Sequence, residues 1–387
     1  MYLQTGPFVP SYLQVIEKIR CRLADTVRCQ TFGLQTLKKS AGHKQFVIVL
    51  FLLWVFPALA VPAPEVLRLE ASVDAMGATF SVVLYGQDRS KLESASEDAF
   101  EEVRRLDSLL SNYKPESEWS RVNREGAEKP VVVSQELFDL LAACVNYSRG
   151  SEGSFDITVG PLMKVWGFYR ESGHLPKPGE LKQAMAQIGY RHIRLNPADR
   201  SVSFSRSGLN LDPGGVGKGY AVDRMAEVLR SRGVTAALIS GGGSSIYCLG
   251  APPDESGWHI KIEDPRHAGA PDAPFATEVV LKDESISTSG SYEKFFVAEG
   301  KTWSHIMDPR TGYPAQGTLS VSVISPRALD SEVWAKPYFI MGRRWTAANK
   351  PRDFRVFFCQ DQGANASVAP GTDKQNNKAD QSCAWLQ

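Results

Sequence analysis

Nothing in this sequence offers a surface to nucleic acid. Its 44 Lys and Arg residues are balanced by 43 Asp and Glu, giving a formal charge of +1. The basic residues are dispersed along the chain, so no nucleic-acid partner is expected. Cysteine is scarce at 6 residues and no C-x-x-C pair occurs, which excludes a structural zinc site of the usual spacing. No internal repeat is present, and no G-x-G-x-x-G follows a strand-like run, which argues against a doubly wound dinucleotide fold. The apolar run Phe46 to Val61 is also short for a membrane span, which needs ~20 residues.

That run has a different reading. Lys38, Lys39, His43 and Lys44 precede it and Ala58-Leu59-Ala60 ends it, giving a basic n-region, an apolar h-region and an A-x-A cleavage site. Export with cleavage after Ala60 is expected, with an uncleaved membrane anchor as the alternative. Either places the protein in the periplasm or on the outer face of the inner membrane. No cysteine lies near the junction, so lipid modification there is not expected. The segment before Lys38 exceeds the usual ~15–30 residues of a signal peptide, so residues 1–60 combine an N-terminal extension with the signal or anchor. A start codon assigned too far upstream and a real cytoplasmic extension both account for it.

Beyond residue 60, periodicity predicts one mixed domain over 61–360. Alternation in VLRLEASV and TFSVVLYG predicts two antiparallel strands around a turn at Met76. Ser90 to Leu110 has helical spacing, with Leu92, Ala99, Phe100, Val103, Leu106 and Leu110 inward. Ser134 is placed to cap a second helix carrying Leu137, Leu140, Leu141 and the core residue Cys144. Glu180 to Gln187 suits a third, and RHIRLNPADRSVSFSR suits a hairpin turning at Asn196 to Asp199. Further strands are expected over Ala236–Ser240, Trp258–Glu263, Thr277–Leu281, Leu319–Ser325 and Phe354–Phe358, with a helix over Leu329–Met341. Strands and helices mix without βαβ alternation, so the fold class is α+β, with mixed antiparallel sheets and packed helices. Residues 361–387 read as a mostly disordered polar tail ending in a short strand. If FRVFF and CAWLQ pair, Cys359 and Cys383 are candidates for a disulfide in an oxidising compartment.

Two segments carry chemistry. Leu211 to Asp223 reads LDPGGVGKGYAVD, a glycine-rich turn running into a helix with Ala221, Met225, Val228 and Leu229 on one face. Bare amides and the positive end of a helix suit phosphate there. It is not a P-loop, because Gly219 follows Lys218 where Ser or Thr is required. Asp212 suits either a turn-and-helix cap or a role in a site. Ile286 to Pro314 reads ISTSGSYEKFFVAEGKTWSHIMDPRTGYP. Ser287, Thr288, Ser289, Gly290 and Ser291 suggest an anion-cradling turn. His305 titrates near neutrality and so is a candidate base. Asp308 and Arg310 suit either a salt-bridged turn or a site role.

These segments, with Met76-Gly77-Ala78-Thr79-Phe80, Ser111-Asn112-Tyr113 with Ser117 and Asn123, Gly153 to Leu162 through Trp166-Gly167-Phe168, and Ser240-Gly241-Gly242, resemble in order the motifs of the FAD:protein FMN transferase family (ApbE-type flavin transferases). The resemblance runs from about Leu67 to Gly342. It implies transfer of FMN from FAD, as substrate, onto a Thr or Ser hydroxyl of an acceptor protein with release of AMP. The acceptors implied are membrane-associated redox proteins. Tyr113 and Met76 would pack the isoalloxazine, while Asp156, Thr158, Asp212 and Ser287 to Ser289 would line the cofactor site. Lys218 and the Gly214 to Gly217 turn would face the phosphates. His305, Asp308 and Lys218 would be the catalytic residues.

The sequence departs from the family at one consequential place. The resemblance implies an Asp and, four residues later, a Thr that hold Mg²⁺ with a carbonyl of the glycine-rich loop, here Gly217. Those positions are Glu332 and Lys336. A charged lysine cannot ligate Mg²⁺, which wants oxygen ligands in near-octahedral array. Lys336 therefore replaces the metal-binding Thr, Glu332 is left as its partner, and Asp330 is a spare carboxylate for a shifted metal site. Gly243 is a second departure, where the family often has Asp or Asn. Loss of transfer, leaving a flavin carrier, and hydrolysis of FAD to FMN and AMP are the alternatives to transfer.

Overall fold

The computed structural model describes residues 65–170, 173–270, 273–360 and 383–387. The signal-like run, and the polar stretch 361–382, lie outside the described residues. Eight strands form one sheet in the order Leu67–Ala75, Ala78–Gly86, Ala236–Gly241, Ser245–Leu249, Glu284–Gly290, Thr318–Ser325, Arg355–Gln360, Cys383–Trp385. Every neighbouring pair is antiparallel. The α+β class expected from the sequence is the class observed.

Period-two alternation decides what each face of this sheet covers. Phe80, Val82, Leu84, Ala237, Ile239, Tyr247 and Leu249 join Leu92, Ala99, Val103, Met225 and Leu229 in one core, from the helices Arg89–Leu110 and Gly217–Ser231. Farther along the sheet, Val321, Val323, Val356 and Phe358 pack against Ala335, Tyr338 and Phe339 of the helix Ala328–Asn349. The opposite face buries Cys248, Ile286, Ile324, Phe357 and Cys359 under the hairpin Trp258–Glu263/Phe275–Leu281. Cys359 and Cys383 form a disulfide that joins the last two strands.

Local signals placed the first elements as expected. Leu67–Ala75 and Ala78–Gly86 turn at Met76 (φ 53°) and Gly77 (φ 70°), the two positive-φ positions of a tight hairpin. The Ser134 hydroxyl caps the helix Gln135–Gly150 by accepting the Leu137 N–H at 3.3 Å. One expectation is corrected and one element is added. Ser287 to Gly290 is not a loop but part of an interior strand of the sheet. Glu118–Glu125, unassigned in the sequence, is a helix capped by Ser117.

The C-terminal helix starts without a cap of its own. Asp223, on the neighbouring helix, accepts the N–H groups of Ala328 (2.7 Å) and Leu329 (2.9 Å). Burial raises its carboxyl to about 6 against those two bonds. The two helices touch closely because residue 219 is glycine: a Cβ there would lie 2.4 Å from the Ala328 carbonyl oxygen.

Candidate active site

The glycine turn is held in place by side chains far away in the sequence. Asn123 clasps the backbone of Leu211, accepting its N–H at 2.7 Å and donating to its carbonyl at 3.0 Å. Trp119 donates its indole N–H to the same carbonyl at 3.1 Å. The Asp212 carboxylate then accepts the Gly214 N–H at 2.6 Å and the Tyr169 hydroxyl. Asp212 thus caps the turn, not the helix, whose flanking residue Val216 has no side-chain cap. Burial raises the Asp212 carboxyl above its usual range, and burial together with the Asp212 charge pushes the Tyr169 phenol up.

Behind this turn lies a cavity. Its walls are Ser154 to Ile157, the glycine turn with Lys218, Ser244 and Ser245, the strand residues Ser287 to Ser289, Glu293, the run His305 to Met307 with Pro309, and Glu332 and Lys336. Strand geometry sorts the serines. Ser285 and Ser287 turn to the helix and bond the Ser331 hydroxyl at 3.0 and 2.8 Å. Thr288 turns the other way to Ser322 at 2.7 Å. The cradle is therefore a sheet surface rather than a backbone turn.

The cavity carries both signs of charge, Lys218 and Lys336 facing the carboxyl groups of Asp156, Asp212, Glu293 and Glu332. The Lys218 ammonium donates to the Ser244 hydroxyl. Lys336 donates to the Glu332 carbonyl at 2.8 Å and lies 3.7 Å from Glu332 Oε1. His305 Nδ1 is 3.2 Å from the Lys294 carbonyl, which can only accept, so Nδ1 carries the proton and Nε2 keeps its lone pair. Burial lowers the imidazole to about 4, helped by the charges of Lys294, Lys218 and Lys336, so the ring is neutral at physiological pH. Burial lowers the Lys336 ammonium as well, with Lys218 adding to it and Glu332 opposing it.

Several expected site residues hold the site rather than line it. Asp156 lines the cavity, but both its oxygens are used inside the protein: Oδ1 accepts the Thr158 N–H (2.8 Å) and hydroxyl (2.7 Å), and Oδ2 the Tyr190 N–H (2.7 Å). Thr158 is fully buried and accepts the Gly189 N–H at 2.7 Å. Asp308 does not line the cavity. Its carboxylate grips Arg310 through the backbone N–H (3.0 Å), Nε (2.8 Å) and Nη2 (2.7 Å), which pins the turn beside His305. Trp166, fully buried, holds the same turn by donating to the Gly312 carbonyl at 2.9 Å. Met76 packs over the start of the glycine-loop helix: a Cβ on Gly217 would sit 3.0 Å from its Cε. Tyr113 belongs to a second hollow with Asn112, Pro115, Arg124, Tyr169 and Asn210, and is 77% exposed. Tyr169 lines that hollow and bonds Asp212 of the first, so the Tyr169–Asp212 pair stands between the two.

The helix N-terminus is not the open phosphate site that the glycines suggested. The Gly219 N–H is taken by Glu332 Oε2 at 2.6 Å, and the Gly217 N–H by the Pro213 carbonyl at 2.9 Å. Asp330, the spare carboxylate, is bonded by the Tyr147 hydroxyl and does not line the cavity. Among the described residues, no three His, Cys, Asp or Glu side chains cluster as metal ligands.

Residues 76–358 match the model of the ApbE family. The chain belongs to the ApbE family. It is 32% identical over 270 residues to an FAD:protein FMN transferase of Klebsiella pneumoniae, covering 69% of this chain and 80% of that one. It is 30% identical to the FAD:protein FMN transferase of Treponema pallidum, covering 65% and 73%. Among solved structures, the ApbE protein of Thermotoga maritima superposes with a TM-score of 0.70 at 26% identity, over 76% of this chain and 94% of that one. The apo flavinyl transferase ApbE of Pseudomonas stutzeri gives 0.68 at 27%, over 77% and 92%. The ApbE match thus spans both hollows and the helix carrying Glu332 and Lys336.

Proposed function

We propose that the protein transfers FMN from FAD to a Thr or Ser hydroxyl of an acceptor protein and releases AMP. The observation that carries this reading is the meeting of two lysine ammoniums and a neutral histidine in one cavity of an ApbE-family chain. In the reaction, the acceptor oxygen bonds to the phosphorus on the FMN side of the pyrophosphate. The bond from that phosphorus to the bridging oxygen breaks, and AMP leaves with that oxygen. Nothing is oxidised or reduced. Catalysis of this kind rests on positioning and on neutralising charge. Lys218 and Lys336 supply positive charge to the phosphates, and His305 Nε2 accepts the hydroxyl proton. The isoalloxazine stacks in the open hollow on Tyr113.

Mg²⁺ does not fit these side chains. One oxygen of Glu332 is spent on a helix N–H, an ammonium faces the other, and Asp330 is held by Tyr147. No step is assigned to a metal.

The acceptor is a redox protein with a flavinylation-type Thr or Ser motif, met on the outer side of the cytoplasmic membrane. The signal-like N-terminus and the Cys359–Cys383 disulfide support that location, since disulfides persist in oxidising compartments. The test is incubation with FAD and such an acceptor, reading covalent yellow fluorescence on a denaturing gel. Labelled acceptor is the expected result. FAD binding with several acceptors left unlabelled would leave a carrier, and FMN plus AMP formed without acceptor would mean a hydrolase.

A further inference from the structure

Glu332 is almost fully buried at 2% exposure, and only one of its two carboxylate oxygens is satisfied. Oε2 accepts the Gly219 N–H, whereas Oε1 is buried with no hydrogen-bond partner. A buried carboxylate oxygen left in that state is costly unless a cation compensates it. The cation present is Lys336, 3.7 Å away and one helical turn on, with the acid on the N-terminal side that favours the pair. Its stem runs beside the glycine turn: a Cβ on Gly215 would lie 3.7 Å from Lys336 Cε. The ammonium has three donors, and one is used on the Glu332 carbonyl. The others face a cavity that also holds Lys218 and Glu293. Pro337 follows directly and has no N–H for the Val333 carbonyl, so the helix ladder is interrupted at this turn.

We infer that the Lys336 ammonium, held by Glu332, stands in for a divalent cation, so that this protein engages the FAD pyrophosphate without Mg²⁺. The inference rests on the FAD-dependent reading above but not on transfer itself. A lysine is a compact point charge suited to phosphate, and here it is built into the wall. The metal requirement is thereby replaced by a side chain whose position depends on the Glu332–Gly219 bond.

The test uses the full-length chain with FAD as probe, titrated by flavin fluorescence in chelator and in Mg²⁺, alongside the acceptor-labelling gel. The wild type is expected to bind FAD with the same Kd in both conditions. Lys336→Thr combined with Glu332→Asp should bind about 10–100-fold more weakly in chelator, as for loss of a charge-assisted hydrogen bond, and regain affinity with Mg²⁺. Lys336→Arg keeps the charge and should stay independent of metal, which separates a charge role from a folding defect. Wild-type binding that requires Mg²⁺ overturns the inference, as does a double variant that binds FAD normally in chelator. Metal-independent binding with no labelling of any acceptor upholds the inference and defeats the transferase reading. Labelling and binding that both need Mg²⁺ do the reverse.

Discussion

The two hollows on either side of the Tyr169–Asp212 pair are built on opposite principles. The inner one is lined by ionisable groups: Lys218, Lys336, Glu332 and Glu293 meet the neutral His305, from the glycine-loop helix, the C-terminal helix and the segments either side of the strand pair Phe295–Ala298/Lys301–Ser304. The outer one has a single ionisable charge, Arg124, among Asn, Ser, Pro and Tyr side chains, and its tyrosine stands in solvent. Charges gain strength where water is excluded, so the inner hollow suits phosphate chemistry and the outer one suits a planar ring. The difference separates turnover from capture, and substitutions in the two hollows should fail differently.

The largest effect is expected from His305→Ala, a fall in kcat of about 10²–10⁴-fold, the usual contribution of a positioned base. The pH profile sharpens this. Burial holds the imidazole near 4 instead of 6.5, so the acid limb of kcat/KM assigned to His305 should lie near pH 4. A limb at 6.5 would remove His305 as a buried base. The same depression bears on stability. Between 6.5 and 4 the unfolded chain binds this proton and the folded chain does not, so the contribution is present above 6.5 and declines as pH falls toward 4.

Lys218→Met comes next. Loss of one preorganised donor at developing charge costs about 10²–10³-fold in kcat. Single-turnover labelling would check it, and a variant with wild-type kcat but raised KM would move Lys218 from turnover to capture. Asp308→Asn should act through the fold. The Asp308–Arg310 clasp contributes about 1–3 kcal/mol, typical of a hydrogen bond to a charged group. Urea unfolding should show that loss, while the rate falls less than for Lys218→Met, because Trp166 still holds Gly312. A rate loss as large as that of Lys218→Met without loss of stability would put Asp308 in the chemistry after all.

Much of the scaffold was legible because its signals are local. Alternation exposed the first hairpin, helical spacing exposed Ser90 to Leu110, and Ser134 announced its own helix. The strand Glu284–Gly290 was hidden because Ile286 is its only large apolar residue. Its hydroxyls pack on Ser331 and Ser322, and strand alternation written in serine and threonine looks like a loop. The site was legible as a set of residue types but not as a set of roles. Asp156 and Thr158 read as cofactor contacts, yet they spend their polar atoms on backbone and on each other, and of the two readings of Asp308 the salt-bridged turn is the one observed. Long-range partners made that division: the Asn123 clasp on Leu211 and the Glu332 bond to Gly219 join residues 88 and 113 apart, beyond any local pattern. Glu332 and Lys336 were visible only as departures from a pattern. The structure adds that their ion pair lies in the cavity wall.

Tyr113→Ala carries the smallest expected effect and is the cleanest test of the two-hollow division. Tyr113 is 77% exposed, so a ring stacked on it gains contact on one face while remaining partly in water. Aromatic pairs contribute about 0.5–1.5 kcal/mol beyond area burial, which corresponds to about 2–10-fold in affinity. The loss should appear in KM for FAD and leave kcat nearly unchanged, because a stacking contact made equally in ground and transition states changes binding alone. Tyr113→Phe should restore the wild-type KM if the ring face is what binds. A fall in kcat with KM unchanged would instead place Tyr113 in the chemistry of the inner hollow, and the Tyr169–Asp212 pair would no longer divide the site by task.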